Sequence, residues 1–271
     1  MSIKDNYFDL ILKYANKYKQ PKHNTKYSNK YYLTHILDVL EDVVTWKSLI
    51  KVRTISSNKT YHYKTINKVH LEWSRNEVYK KAYNKMLKIN NLCKLSVNNF
   101  IDGTLIINKS GIENIGYGCG ESRKKKFTAI TCICNENTKP IAIVNCLTYT
   151  KELNKVKTIK TLPHDSQTIL PAINSLKTNK SYNLVVDSKF ICDSGFLFDR
   201  SLIPANVNLI TVKRKNQLVQ NTVIENQILK KRYKIENLFA RIKQFNRVHV
   251  RRDKLIVTYL GFVHLAFMKI I

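Results

Sequence analysis

Leu229 to Phe245, LKKRYKIENLFARIKQF, carries neither Gly nor Pro. Ile228, Ile235, Leu238, Phe239, Ile242 and Phe245 recur at helical spacing and predict one amphipathic helix over about residues 223–245. Arg232, Glu236 and Lys243 stand at i, i+4 and i+11, which at about 100° per residue puts them on one side of that helix. A glutamate between two cations on a half-buried helix stays ionised. Taken by itself, the pattern is that of a surface ion pair. Two further acids change its meaning. Asp102 follows a short apolar run in NNFIDGT, and Asp187 follows another in YNLVVDS. Two strand-end aspartates and a helix-borne glutamate form a carboxylate set suited to two divalent metal ions.

Working outward from the helix, residues after Asn90 alternate between strand and helix patterns. Ser96–Asp102, Phe127–Cys134 and Ile141–Tyr149 read as strands, with a turn over Asn135–Thr138. Pro163–Leu176 reads as a helix, Tyr182–Asp187 as a buried strand, Phe196–Leu202 as helical and Leu209–Val212 as a strand. Basic Lys213-Arg214-Lys215 then leads to the long helix. This order predicts an α/β fold with a mixed sheet flanked by helices, of ribonuclease-H-like layering. Residues 1–28 are polar, with a short amphipathic piece around Phe8–Tyr14. Helical spacing marks residues 31–50 and 64–73, and Ser74 with Glu77 forms a capping-box pattern opening a third helix to about Leu87. With Lys80, Lys81, Lys85 and Lys88 on that third helix, the region fits a helix-turn-helix-like module or a plain helical bundle. The expected division is a helical, DNA-binding region over 1–92 and a catalytic domain over 93–271. Leu255–Ile271 is apolar but holds His264 and Lys269 and is shorter than the ~20 residues a span needs, so a buried helix is expected. MSIKDNYFDLILKY has no long apolar core and does not read as a signal peptide.

Lys and Arg number 47 against 19 Asp and Glu, a net +28 spread along the chain. That is far beyond the ~2–8 that solubility asks of a small domain, and it points to a polyanion, above all nucleic acid. An AT-rich coding sequence accounts for part of it, since Asn, Ile and Tyr are abundant too. Lys124, Lys125, Lys126, Arg251 and Arg252 are candidate phosphate contacts, with a solvated charge run as the equal alternative. Six scattered cysteines lack a CxxC pair and read as reduced thiols of an intracellular protein. Gly116-Tyr117-Gly118-Cys119-Gly120 lacks the GK[ST] of a phosphate loop, Asp165 reads as an N-cap, and Asp193 and Asp199 read as helix-end or surface acids.

Set together, these motifs resemble the DDE transposases of bacterial insertion sequences, in the group with a Tyr-Arg-Glu-Lys signature around the last acid. Arg232, Glu236 and Lys243 match the Arg, Glu and Lys of that signature, while its Tyr position falls at Leu229. Asp102 in IDGT and Asp187 in LVVDSKF resemble the first and second family aspartates. RKKKFTAITCICNENTKPIAIV, RVHVRRDKLIVTYLGFVHLAFM and YHYKTINKVHLEWSRNEVYKKAYNKML are similar to further family stretches, so the resemblance spans roughly residues 30–270. It implies a ribonuclease-H-like catalytic domain that cuts element ends and joins the 3′-OH to target DNA by two-metal-ion phosphoryl transfer. Asp102, Asp187 and Glu236 are then the catalytic and metal-holding acids for two Mg²⁺ ions, with Mn²⁺ able to substitute. Arg232 and Lys243 join the DNA contacts. Double-stranded DNA and a homodimer on it are the implied partners, with no membrane. The implied location is wherever the DNA is, in a bacterial cytoplasm or in the nucleus or a viral factory of a eukaryotic host. A catalytically inactive element-derived DNA-binding protein, a metal-dependent nuclease that cuts without joining and a general basic nucleic-acid-binding module are the alternatives.

Overall fold

The computed structural model describes residues 3–18, 27–41, 45–48, 63–90, 96–117, 125–145, 149–153, 157–161, 165–178, 188–196, 207–213 and 217–271. Its helices are α1 (Ile3–Ala15), α2 (Asn29–Glu41), α3 (Tyr63–Arg75), α4 (Val78–Ile89), α5 (Asp165–Thr178), α6 (Val223–Leu229), α7 (Tyr233–Ile242) and, beyond a single helical turn at Asn246–His249, α8 (Ile256–Ile270). Its strands are β1 (Asn98–Asn108), β2 (Gly116–Tyr117), β3 (Lys126–Asn135), β4 (Pro140–Asn145), β5 (Tyr149–Leu153), β6 (Lys157–Thr161), β7 (Lys189–Cys192) and β8 (Asn208–Thr211). The chain divides into two compact units, one of residues 1–89, 110–113 and 242–271, the other of 90–109 and 114–241. The division therefore differs from the one expected after residue 92. The last segment joins the N-terminal helices because α8 is apolar around most of its girth. Tyr259, Phe262, Val263, Leu265, Ala266 and Phe267 are all fully buried, and a helix of that kind needs neighbours on several sides. α3 and α4 supply them. Among the described residues no helix is long and apolar enough to cross a membrane.

In this helical unit α1 is longer than the short piece expected, burying Leu10, Ile11 and Ala15. α2 is described over Asn29–Glu41, Thr45 and Ser48 exchange hydrogen bonds in a turn, and the other residues of the helix expected over 31–50 lie outside the described residues. The expected capping box does not form. Ser74 lies inside α3, its Oγ buried 2.5 Å from where a Cβ on Gly261 would stand and without a hydrogen-bond partner. Glu77 instead takes a positive φ of 56° between α3 and α4 and pairs with Lys80 at 2.8 Å. The short connection leaves no room for a capped start. His70, wholly buried, meets the Tyr79 hydroxyl at 2.9 Å and the Thr258 carbonyl at 3.1 Å.

The second unit is built on a mixed sheet. β1 and β3 run antiparallel from Asn99 opposite Asn135 to Ile107 opposite Phe127. The turn after β3 forms as expected, since the Asn135 side chain accepts the amides of Asn137 and Lys139 while Thr138 takes a φ of 59°. It returns the chain as β4, antiparallel to β3 on its far side. β7 then joins β1 in parallel, and β8 joins β7 in parallel. The path through the sheet reads β5-β6-β2-β3-β1-β7-β8, with β4 beside β3. β1 and β3 are buried on both faces over Asn99–Ile101 and Thr128–Asn135, as central strands must be. α5 covers β1, β3 and β4 with Ile169, Ala172, Ile173 and Leu176. The strand expected over Tyr182–Asp187 lies outside the described residues.

The long helix expected over residues 223–245 is three pieces. α6 is followed by a 3₁₀ turn at Lys230–Arg232, and only then does α7 begin. No residue of α6 or of the turn is buried, so no core pins an unbroken helix there. Ile235, Leu238, Phe239 and Ile242 of α7 are buried. The apolar period was read correctly across α7 and extended too far toward the N-terminus.

Candidate functional site

The site begins at the point on β1 where parallel pairing with β7 stops. The paired residues are Asn98 with Lys189, Asn99 with Phe190 and Phe100 with Ile191. β7 ends at Cys192, and Asp193 follows it directly. Asp102 Oδ1 accepts the amide of Gly103 at 2.8 Å, and Asp193 Oδ1 accepts the amide of Ser194 at 2.7 Å. An aspartate held by the following amide has a fixed rotamer and turns its second oxygen outward. Ser194–Phe196 forms a 3₁₀ turn directly after Asp193.

Arg232, the last residue of the 3₁₀ turn before α7, closes the group. Its Nη1 donates to Asp102 Oδ2 at 3.0 Å and its Nη2 meets Glu236 Oε1 at 3.0 Å. The side chains are 27% exposed for Arg232, 18% for Asp102 and 55% for Glu236. A guanidinium forked between two carboxylates is the geometry for which Arg is suited. Glu236 lies in the first turn of α7, where the helix dipole favours a negative charge. The charges converge beneath the cluster on Cys192. Burial pushes its thiol far up, Asp102 and Asp193 push it further, and Arg232 opposes them. Burial likewise pushes the Cys134 thiol up to about 12, so these buried thiols do not ionise near neutral pH.

Among the described residues no group of three or more His, Cys, Asp and Glu side chains stands close enough to hold a metal ion. The donors available here are carboxylate oxygens, which suit Mg²⁺ or Mn²⁺. Arg232 is itself a cation placed between two of them, and stands where positive charge is favoured.

The structure brings together Asp102, Glu236 and Arg232 of the residues expected from sequence. Asp187 and Lys124 lie outside the described residues. Asp193, expected to be a helix-end or surface acid, is half-buried between the end of β7 and the start of the 3₁₀ turn. Its signal was present in the sequence. Asp187-Ser188 and Asp193-Ser194 are twin dipeptides behind apolar runs, but only the second has a nearby glycine, Gly195, as Asp102 has Gly103. Lys243 falls in a turn past the end of α7, and burial pushes its ammonium pKa down. Lys125 and Lys126 are exposed at the start of β3, and Arg252 is exposed.

Arg251, a candidate phosphate contact, is a buried side chain. It is 0% exposed and spends its donors on the carbonyls of Glu113, Asp253 and Lys254, with its guanidinium over the Tyr259 ring. A buried arginine with its donors taken up by main-chain oxygens fixes loops together.

No protein-family model matches the chain, and none of the curated proteins compared with it matches either. Among solved structures, the chain is similar to a piggyBac transposase in a synaptic complex with hairpin DNA, at 11% identity and a TM-score of 0.49. That similarity covers 98% of this chain and 73% of the other. A likeness this weak carries neither fold nor function.

Proposed function

We propose that the chain is a metal-dependent DNA-cutting and DNA-joining enzyme of the DDE transposase type, with Asp102, Asp193 and Glu236 as its three acids. Asp193 takes the place that the sequence assigned to Asp187. The observation that carries this reading is the fork of Arg232 between Asp102 and Glu236, with Asp193 directly after β7, the strand that pairs in parallel with β1. Three further observations support it. The order β4-β3-β1-β7-β8, three antiparallel strands extended by two parallel ones, is the layering expected of a ribonuclease-H-like domain. The acids stand at strand ends beside a helix, where open sheets place their sites. The net charge of +28 suits a DNA partner. The four helices of residues 3–89 are the proposed DNA-binding region, docking as a helix-turn-helix-like module.

Asp102, Asp193 and Glu236 do not stand close enough together to hold a metal ion as they are; they would supply carboxylate oxygens to two Mg²⁺ ions, with Mn²⁺ as substitute, once Arg232 releases Asp102 and Glu236 and the acids draw together. The metal, when bound, supplies a polarised nucleophile and neutralises charge at the scissile phosphate. The chain's own residues do the rest. The amides of Gly103 and Ser194 fix the two aspartates before any ligand arrives. Arg232 holds Glu236 toward Asp102 and offers a guanidinium to a phosphate when it lets go. Element ends held in pairs call for a homodimer on the DNA.

The test is cleavage and strand transfer of labelled DNA carrying the element's flanking ends, in Mg²⁺ or in EDTA. Asp193→Asn and Glu236→Gln should each lower the rate by about 10²–10³-fold or more, while Asp187→Asn keeps most of it. Loss with Asp187→Asn and retention with Asp193→Asn would return the second place to Asp187. Tight DNA binding with no product in any metal would leave a DNA-binding protein without turnover. A cut end that is never joined would leave a nuclease.

A further inference from the structure

The start of α7 is tied to the sheet at two points, and the carboxylate cluster uses only one of them. Arg232 is the first, forked between Asp102 and Glu236. The second lies two residues on, where Lys234 Nζ donates to the main-chain carbonyl of Glu136 at 2.5 Å. Glu136 belongs to the turn between β3 and β4 and is itself fixed. Its amide donates to Ser96 Oγ at 3.3 Å, and its Oε1 accepts Asn98 Nδ2 at 2.5 Å. The turn around it is stiff, since Asn135 Oδ1 accepts the amides of Asn137 and Lys139, each at 3.0 Å. Asn98 opens β1, and Asp102 stands four residues along the same strand, on the same face by the strand's period of two. Lys234, Glu136 and Asn98 therefore close a loop from the helix that carries Glu236 back to the strand that carries Asp102.

The two ties differ in kind. Arg232 holds carboxylate oxygens that a metal ion would need, whereas Lys234 holds a carbonyl that the chemistry does not use. The ammonium faces the sheet, for it opposes the upward push that burial and Asp102 give the Cys134 thiol of β3. Of the first four residues of α7 only Ile235 is buried, and the 3₁₀ turn before them buries none. One buried side chain is a pivot about which a helix end can swing, and a second fixed point removes that freedom. We infer that Lys234 is a positioning residue for Glu236: its bond to the Glu136 carbonyl keeps the first turn of α7 anchored to the β3–β4 turn once Arg232 has let go. A partner of this kind sets where a metal-holding side chain stands without touching the metal. The charge of Lys234 would suit a phosphate as well, and the salt dependence of DNA binding separates the two roles.

This inference rests on the metal-dependent reading of the site, and one set of measurements keeps the two apart. Lys234→Met keeps the stem and removes the donor, and Lys234→Arg restores a donor. The full chain is assayed for cleavage of labelled DNA carrying the element's flanking ends across a Mg²⁺ titration. DNA affinity is measured in EDTA at several salt concentrations, and amide hydrogen exchange without DNA or metal. Lys234→Met should need about 10-fold more Mg²⁺ for half-maximal cleavage, with the DNA affinity and salt slope of the wild type. Its amides should exchange faster in the first turn of α7 and at wild-type rates in β1 and β3. Lys234→Arg should recover most of the Mg²⁺ response. An unshifted Mg²⁺ midpoint in Lys234→Met overturns the positioning role and leaves the enzyme reading standing. A salt slope lowered by about 1 assigns Lys234 to a phosphate and overturns it as well. Faster exchange throughout the sheet unit makes the bond a general support of the fold, which also overturns it. A wild type that yields no product in any metal overturns the enzyme reading and this inference with it.

Discussion

Arg232 and Arg251 look alike in sequence, each beside another cation near the C-terminal end of the chain, and the two units use them in opposite ways. In the helical unit Arg251 has no exposure, its partners are main-chain carbonyls, and burial pulls its pKa below the usual value. In the sheet unit Arg232 is a quarter exposed and its partners are two carboxylates. A guanidinium sealed among carbonyls has no exchangeable partner and does structural work. One forked between partly wet carboxylates can trade them for a phosphate, and they can trade it for a metal ion. Side-chain type therefore did not separate fold from function in this chain. Access to water and the chemistry of the partner did.

The contrast breaks most visibly in acid. His70 is wholly buried and held down to about 3 from an ordinary 6.5, chiefly by burial and also by Arg247, against the Thr258 carbonyl. The unfolded chain takes up the proton first. Stability from this site is full above pH 6.5 and falls by about 1.4 kcal/mol per pH unit as pH drops from there toward 3. His264, down to about 4 by burial, acts in the same direction. Urea midpoints of the wild type and His70→Gln across pH 7 to 4.5 measure this. Equal slopes in both would remove the dry-interior account of the helical unit.

Next in size is Arg251→Met. It leaves three carbonyls without their donors at a side chain with no exposure, at a cost of about 3–5 kcal/mol in the same urea assay. A loss below ~1 kcal/mol would mean that the loop around Glu113 rearranges freely. Gly261→Ala tests the packing of the same unit. Its new Cβ would stand 2.5 Å from Ser74 Oγ and 3.1 Å from His70 Cε1, so a loss of about 1–3 kcal/mol is expected. Ser74→Ala removes the nearer atom, which has no hydrogen-bond partner, and should restore much of that loss. A double variant as unstable as the single one would place the strain at His70 instead.

The sequence disclosed those parts of the fold in which one period dominates. β3 is a short run rich in β-branched and apolar residues, from Phe127 to Cys134, and α8 is apolar nearly throughout; both are expected near their observed bounds, while α7 repeats its apolar side but begins about ten residues later than expected. It failed where a local pattern had two physical meanings. Val223 and Ile224 continue the α7 period yet face solvent, because nothing in a period says whether a partner waits on that face. Ser74 and Glu77 satisfy a capping rule, but α3 runs on past Ser74 since Gly261 lets α8 approach it. Asp187 and Asp193 both end apolar runs; Asp187 lies outside the described residues, and Asp193 directly follows β7. Asp102 and Glu236 are legible as acids near a strand and on a helix; that Arg232 ties them together is a matter of the fold, since 130 residues separate it from Asp102.

The smallest effect is the most informative about Arg232. Arg232→Gln removes two partly exposed ion pairs, and such pairs are worth ~1 kcal/mol or less, so the urea midpoint should hardly move. Its effect should appear instead in the affinity of the DNA-free protein for Mg²⁺, read by calorimetry. The guanidinium occupies one oxygen of Asp102 and one of Glu236, so it competes with any cation that needs them. Removing it should tighten Mg²⁺ binding severalfold if the carboxylates hold their positions without it. Asp102 has reason to do so, because the Gly103 amide fixes its other oxygen. Glu236, more than half exposed, has no such anchor in the pairs seen here. Weaker Mg²⁺ binding in Arg232→Gln would therefore mean that Arg232 positions Glu236 rather than standing in for the metal, and would move it from an exchangeable cation to a fixed part of the site. That outcome would bring Arg232 closer to Arg251 than the present geometry does.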